Sequence, residues 1–307
     1  MINKLKIWMD GGLVEWSEAK IHVLTHALHY GTSVFEGIRS YSTSAGPAVF
    51  KMNEHIERFY FSAKSLDMDI KFSPDTLKAG IKDCITVNNL NNCYIRPIAY
   101  FGQGNLGLIP EPDSVGVTIA CRPWVLKEGA DRGVSVKISK YMRPHPSSLH
   151  IEAKVGGHYV NSVLASKEAR RNGFDEALLL DHKGLVAEGP GENIFMVKDG
   201  ILLTPARGSI LPGITRETIM VLAQDAGIQV AEREIRPEEL EKADELFFVG
   251  TAVEVWPILK IDNALVGDGK IGQVTARLMA DYKTLVRGEN KKYLKYLTLL
   301  GQRYDHK

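Results

Sequence analysis

Hydrophobic positions change their period along the chain, and each change marks an element. Residues 6–9 and 13–16 are short apolar-rich runs on either side of Asp10-Gly11-Gly12, the signature of a tight β-hairpin. Residues 48–51 read as a short strand. Asn53 is placed to cap a helix in which Ile56, Phe59, Tyr60 and Ala63 form an apolar stripe. Arg58 falls opposite that stripe, where periodicity alone puts it in solvent. A second helix is predicted over 74–87, with Leu77, Ile81 and Ile85 on one face and Pro74 in its first turn. Two strands follow, CYIRPIAYFG and VGVTIACR.

Residues 123–133 mix proline, glycine and charge between apolar strands and mark a boundary. The predicted organisation is a small N-terminal domain over 1–123, an interdomain loop over 124–134 and a larger C-terminal domain over 135–307. After a strand at 134–140 comes EAKVGGHYVNSVLASKEARRNGF, residues 152–174. Here Lys154 precedes the pair Gly156-Gly157. Val160, Val163 and Leu164 then recur at helical spacing, Arg170 and Arg171 suit a last turn, and Gly173 ends the helix. EALLLD, LVAEG, NIFMV and ILLTP are strands joined by links too short for helices, so they predict an antiparallel meander. LPGITRETIMVLAQDAGIQV reads as a glycine turn feeding a helix, with Ile219, Leu222, Ala223 and Ala226 on one face and Gly227 beyond its end. A last strand, ELFFVGTAVEVWPI, breaks at Gly250-Thr251-Ala252. The chain reads as α+β.

At 307 residues it exceeds what one hydrophobic core serves, which agrees with two domains. A net charge of +1 offers no basic field for nucleic acid. Cys84, Cys93 and Cys121 are odd in number and lack CxxC spacing, which predicts a reduced, cytoplasmic setting without a disulfide frame. No segment approaches the roughly eighteen apolar residues of a membrane span. His22, His26 and His29 stand at helical spacing, but no nearby Cys, Asp or paired Glu completes a metal set. GQGNLG, residues 102–107, matches the dinucleotide fingerprint in letters and is the whole basis for a nicotinamide-dependent alternative. The segment after it, Leu108 to Pro112 with two prolines, cannot open the helix that fingerprint needs, so it reads as a loop.

The chemistry gathers around Lys154. A lysine nucleophile acts as the free amine, and the neighbouring glycines let a flat ligand approach its backbone. The predicted helix start at Ile214 and Thr215 is an anion site without a Walker lysine, which fits one phosphate better than a nucleotide triphosphate. Thr251 between small neighbours adds a hydroxyl for a phosphate or carboxylate. In AEGPGEN, residues 187–193, Glu188 and Glu192 compete to face a pyridine nitrogen, and spacing does not choose between them. Amine, phosphate site and acid together point to pyridoxal 5'-phosphate.

HYGTSVFEGIR, YIRP, EAKVGGHYVNS, EGPGENIF, LPGITRETI and GTAVEV, in this order, resemble the fold-type IV aminotransferases, and closely the branched-chain amino-acid aminotransferases. The resemblance covers nearly the whole chain and implies a small N-terminal α+β domain followed by a larger pseudo-barrel. It makes Lys154 the Schiff-base lysine and proton carrier and Glu188 the partner of the pyridine nitrogen. Tyr159 falls to the phenolic oxygen, and Leu211 to the ring face. It gives Arg58, Ile214, Thr215 and Thr251 to the phosphate, against the periodicity that leaves Arg58 in solvent.

For the substrate, one site must take a branched apolar side chain and the carboxylate side chain of glutamate. The resemblance supplies walls from Tyr30, Phe35, Gly37, Tyr94 and Trp124 and a cation from Arg96. Tyr94 and the backbone at Thr251 and Ala252 orient the α-carboxylate. By the same resemblance Tyr30 and the loop 106–108, including Leu108, would reach a neighbouring subunit's site, which implies a homodimer or larger assembly. D-amino-acid and (R)-amine aminotransferases and aminodeoxychorismate lyases share the fold, while YIRP with Arg96 favours the branched-chain class. A vitamin B6 carrier would use the lysine without turnover. One departure stands out: after Pro123-Trp124 the chain continues Val125, Leu126, Lys127, where many relatives have a longer segment with a tyrosine that closes the pocket.

Overall fold

The computed structural model describes residues 4–124 and 132–300. The expected interdomain loop and the Val125–Leu126–Lys127 departure therefore lie largely outside the described residues. The chain divides into two compact units. One comprises Met1–Val125, Ala153–Gly157 and Thr284–Lys307; the other comprises Leu126–Glu152 and His158–Lys283.

In the first unit, β1 (Lys6–Met9) and β2 (Gly12–Glu15) form the hairpin, turned by Asp10 at φ +46° and Gly11 at φ +101°. Two successive left-handed residues match the twist of the strands they join. There follow α1 (His26–Tyr30), β3 (Ser33–Phe35), β4 (Ile38–Thr43), β5 (Gly46–Phe50), α2 (Met52–Lys64), α3 (Pro74–Val87), β6 (Cys93–Phe101) and β7 (Val115–Pro123). The strands make one eight-stranded sheet in the order Leu297–Leu299, β5, β4, β6, β7, β1, β2, with β3 also paired to β6. Ile56, Phe59 and Ala63 of α2 and Leu77, Ile81 and Ile85 of α3 are buried in the core with Val34, Ile95 and Ile119 of the sheet.

The start of α3 follows the sequence in placing Pro74 in the first turn, and Ser73 adds a cap by accepting from the Thr76 amide at 3.1 Å. The start of α2 does not. Asn53 is already inside the helix, and the cap position is Lys51, left-handed at φ +51° and without a side-chain cap. The chain turns into α2 straight from β5, and the Lys51 amide is satisfied instead by the Tyr296 carbonyl at 2.7 Å.

Two segments that the sequence assigns to the C-terminal domain group here. Leu297–Leu299 extends the sheet by pairing with β5. Ala153 and Val155 are buried in the first unit's core, Val155 bridges Val34, and Gly157 donates to the Gly31 carbonyl at 3.0 Å. Alternation along an extended segment then puts Lys154 on the face opposite the core.

The second unit contains β8 (Val134–Ile138), α4 (Tyr159–Arg171), β9 (Glu176–Leu180), β10 (Val186–Glu188), β11 (Asn193–Lys198), β12 (Ile201–Pro205), α5 (Ile214–Asp225), β13 (Val230–Arg233), α6 (Pro237–Leu240), β14 (Glu245–Gly250), β15 (Glu254–Ile261) and β16 (Ala264–Leu265). The sheet runs β10, β9, β8, β15, β14, β11, and β11 pairs again with β10, so six strands close on themselves. Closure gives the expected pseudo-barrel, with β12 and β13 continuing the sheet beyond β11. The meander holds from β9 to β12. On either side of it the pairings β8–β9 and β12–β13 are parallel, with α4 and α5 as their crossovers.

The apolar positions of α4 do not face inward. Val160, Val163 and Leu164 are 64%, 50% and 42% exposed, while Ser162, Ala165 and Ala169 are buried. The small residues let the helix lie close to Ala177 and Leu179 of β9. At its end Gly173 is left-handed at φ +81° and Phe174 donates back to the Ala169 carbonyl, the glycine-terminated form of helix end.

Candidate active site

Three polar residues share one face of α2: His55, Arg58 and Ser62, at the three- and four-residue spacing of neighbouring turns. Ser62 Oγ accepts from the Lys154 amide at 2.9 Å, fixing the lysine's backbone to the helix. Arg58 is not in solvent, as periodicity has it, but only 10% exposed. Its Nε lies 2.6 Å and one terminal nitrogen 3.0 Å from the two oxygens of Glu36. His55 Nδ1 lies 2.7 Å from the same carboxylate, and the Gly37 amide donates to it at 3.2 Å. A polar stripe beside the apolar one was the signal that a count of hydrophobic positions passes over. Glu36 and His55, absent from the sequence-derived candidates, are the residues it hides.

Glu36 is fully buried. Burial works to raise its pKa, but the Arg58 charge and then His55 outweigh it and hold the carboxyl far below the usual range. Burial pushes His55 down; Glu36 pulls it up and is outweighed, with Arg58 and Lys154 adding to the downward push. A neutral imidazole facing a carboxylate must carry its proton on Nδ1, since an ionised carboxylate only accepts.

Phe35 connects this cluster to a second one. Lys154 Nζ is 5.0 Å from the Phe35 ring centroid and the Arg96 guanidinium 4.7 Å from it. Arg96 also donates to Tyr94 Oη at 3.2 Å, and the Tyr94 and Trp124 rings lie 5.0 Å apart. Arg96 Nε and Trp124 Nε1 are buried with no hydrogen-bond partner among the described residues. Gly37 is needed here for space, because a Cβ would run into the Tyr94 hydroxyl. The structure thus brings together Lys154, Arg58, Phe35, Gly37, Tyr94, Arg96 and Trp124.

Tyr30 and Leu108 stand apart from them. Tyr30 Oη donates to the Leu106 carbonyl at 3.0 Å, and His26 spans from Thr32 Oγ1 at 2.7 Å to the Leu108 carbonyl at 3.2 Å. GQGNLG is accordingly a loop pinned to α1, followed only by a single 3-10 turn at Pro112–Ser114 and not by an α-helix. His29 holds the Val23 carbonyl and His22 the Leu24 amide, so these two histidines serve local backbone while His26 ties α1 to the loop.

In the second unit Glu188 ends β10 and is 5% exposed. Arg143 Nε lies 2.9 Å from its Oε1, an ion pair by distance although not aligned as a hydrogen bond. Asn193 Nδ2 donates to Glu188 Oε2 at 3.0 Å and equally to the Leu211 carbonyl, while the Leu211 amide reaches both Glu188 oxygens. Glu192, half-buried, takes the Gly191 amide of its own turn at 3.0 Å. Of the two acids, Glu188 is the more deeply buried. Arg143 gave no signal in the sequence.

Gly213 precedes the twelve-residue α5, and a Cβ there would collide with Asn193 Oδ1. The helix start therefore sits against the group that holds Glu188 and Leu211. Ile214 and Thr215 are buried, and no side chain caps the first turn. Thr251 and Ala252 occupy the β14–β15 turn, and the adjoining Gly250 packs against the backbone of Gly191 and Glu192. Tyr159 opens α4, half-buried.

Comparison with known proteins gives one picture. The family described as amino-transferase class IV matches residues 33–261. The chain is 44% identical over 290 residues to the branched-chain-amino-acid aminotransferase of Salmonella typhimurium, covering 93% of this chain and 94% of that one. Among solved structures, the T.th. branched-chain amino acid aminotransferase complexed with N-(5'-phosphopyridoxyl)-L-glutamate is similar with TM-score 0.95 and 44% identity, covering 98% of this chain and 100% of that one. The Escherichia coli branched-chain amino acid aminotransferase is similar with TM-score 0.93 and 42% identity, covering 97% and 100%.

Proposed function

The chain belongs to the class IV aminotransferases, and from that membership we propose that it moves the amino group of leucine, isoleucine and valine onto 2-oxoglutarate, with pyridoxal 5'-phosphate as carrier. When bound, that cofactor supplies an aldehyde that receives the amino group and a ring that takes up electron density. The residues present fit it. Glu188 is a buried carboxylate already held by Arg143, Asn193 and the Leu211 amide, suited to a protonated pyridine nitrogen. The first turn of α5 is buried and uncapped, suited to an anion, and the Arg58 guanidinium is fixed by Glu36.

Each residue then has a task. Lys154 Nζ would take the proton from the substrate Cα and deliver it to the carbon of the cofactor's aldehyde group. Ser62 keeps the lysine's backbone in place. Glu188 would keep the pyridine nitrogen protonated, Tyr159 would donate to the phenolic oxygen, and Leu211 would pack on the ring. Arg58, Ile214, Thr215 and Thr251 would hold the phosphate. Phe35, Gly37, Tyr94 and Trp124 enclose an apolar side chain, Arg96 receives the side-chain carboxylate of glutamate, and Tyr94 with Thr251 and Ala252 orients the α-carboxylate.

One observation carries the substrate reading. A single aromatic ring, Phe35, has an amine 5.0 Å and a guanidinium 4.7 Å from its centroid. An amino donor with an apolar side chain and one with an acidic side chain both find their counterparts there. Tyr30, Leu106 and Leu108, exposed at 44%, 63% and 78%, support a homodimer in which they serve a partner's site. Three free, buried cysteines support a cytoplasmic setting. Among the described residues no helix is long and apolar enough to cross a membrane.

The test is a pair of half-reactions. L-leucine should bleach the visible band of the cofactor-loaded protein, and 2-oxoglutarate should restore it. Bleaching by D-alanine or an (R)-aryl amine in place of L-leucine would move the chain to another class IV activity.

A further inference from the structure

We propose that Glu36 is a positioning residue for the phosphate end of the cofactor, acting through Arg58. This inference rests on the reading above, in which Arg58 meets the phosphate, and adds to it a residue that touches neither cofactor nor substrate.

The geometry is a two-point clamp. Arg58 Nε and one terminal nitrogen meet the two oxygens of Glu36, at 2.6 and 3.0 Å. A paired contact of this kind fixes both the plane and the direction of a guanidinium, which a single contact leaves free to swing. The carboxylate is itself held: His55 Nδ1 at 2.7 Å and the Gly37 amide at 3.2 Å converge on the oxygen opposite Nε. His55 and Arg58 are one turn apart on α2, and Ser62, one turn further, holds the Lys154 amide. One helix face therefore sets both the lysine and the arginine.

Stability alone does not account for such a cluster. A buried ion pair is often replaceable by apolar side chains of similar volume without loss, because desolvation offsets most of the attraction. Glu36 lies fully buried between Phe35 and Gly37, two positions of the substrate cluster. Its placement there serves the direction in which Arg58 points. By charge alone Glu36 would weaken phosphate binding, since it opposes the cation that attracts the anion. The positioning role makes the opposite prediction, so sign separates the two.

The test compares pyridoxal phosphate with pyridoxal, which lacks the phosphate, by titration into the full-length chain freed of cofactor. The quantity read is the ratio of the two affinities. Glu36→Gln should lower that ratio about tenfold, the loss expected when an oriented charged contact is released, and leave pyridoxal binding near wild type. Combined with Arg58→Gln, it should add nothing further. Glu36→Asp keeps the charge but shortens the reach, and should lower the ratio less; it carries the test where Glu36→Gln does not fold. An unchanged or raised ratio in Glu36→Gln, an equal loss for both ligands, or a further loss in the Arg58→Gln background would each overturn the inference. A wild-type ratio in Arg58→Gln alone would overturn the phosphate reading, and this inference with it.

Discussion

Arg143 Nε lies 2.9 Å from Glu188 Oε1, with the two side chains only 9% and 7% exposed. Such a pair is weak support for stability while intact, but breaking it leaves one charge buried and alone. Arg143→Met should therefore destabilise the protein by about 3 kcal/mol or more, measured by urea unfolding. A second change, Glu188→Leu, should recover part of that loss while abolishing transamination. If Arg143→Met unfolds at the wild-type urea midpoint, the pair is not under the desolvation the structure gives it.

In the proposed reading Lys154 contributes chemistry, and it contributes no core. Its neighbours Ala153 and Val155 are the buried residues of the segment, so Lys154→Ala should fold and melt near wild type. Transamination of L-leucine should fall by at least about a thousandfold, since proton transfer by a placed group is alone worth about 10²–10⁴ in rate. A variant that keeps a tenth of the wild-type kcat would remove Lys154 from its assigned role.

In the proposed reading Arg96 separates the two substrate types. Its guanidinium lies over Phe35 and Tyr94, and its Nε is buried without a partner among the described residues. Arg96→Leu should lower kcat/KM for glutamate and 2-oxoglutarate by about tenfold to a hundredfold, the worth of a charged hydrogen bond. For leucine, which offers no side-chain carboxylate, the change should stay within a few-fold. Equal losses for leucine and glutamate would mean that Arg96 holds a part common to both.

The sequence discloses what depends on local pattern. The hairpin at Asp10-Gly11, the Pro74 start of α3, the β9–β12 meander and the loop nature of GQGNLG all follow from residues close in the chain. It is silent where distant segments meet. The crossovers that make β8–β9 and β12–β13 parallel depend on pairing across a helix, and the return of Leu297–Leu299 to β5 spans most of the chain. Arg58 shows how a binary reading fails. A charged residue off the apolar stripe was assigned to solvent, whereas a buried carboxylate and histidine give that face a polar interior of its own. In α4 the failure runs the other way: Val160, Val163 and Leu164 gave the helical period but not the buried face, because the alanines opposite them allow closer packing.

His55 gives the cluster a pH signature. In the folded chain burial holds its pKa below the ordinary value, Arg58 and Lys154 push the same way, and the upward pull of Glu36 does not compensate. The unfolded chain takes up a proton near pH 6.5; the folded chain does so only at lower pH. Stability is therefore unaffected by His55 above about pH 6.5 and falls as the pH drops below it. Glu36, whose folded pKa is depressed, contributes stability above its ordinary titration near about 4.3, which is lost only in stronger acid. Between about pH 6.5 and 5 the His55 contribution thus stands apart from that of Glu36. His55→Asn, whose amide can still donate to Glu36, should reduce the slope of unfolding free energy against pH in that window by up to about 1.4 kcal/mol per pH unit. Urea unfolding at half-unit pH steps measures it. An unchanged slope would mean that His55 titrates alike in the folded and unfolded chain, and that the imidazole is not held neutral beside Glu36.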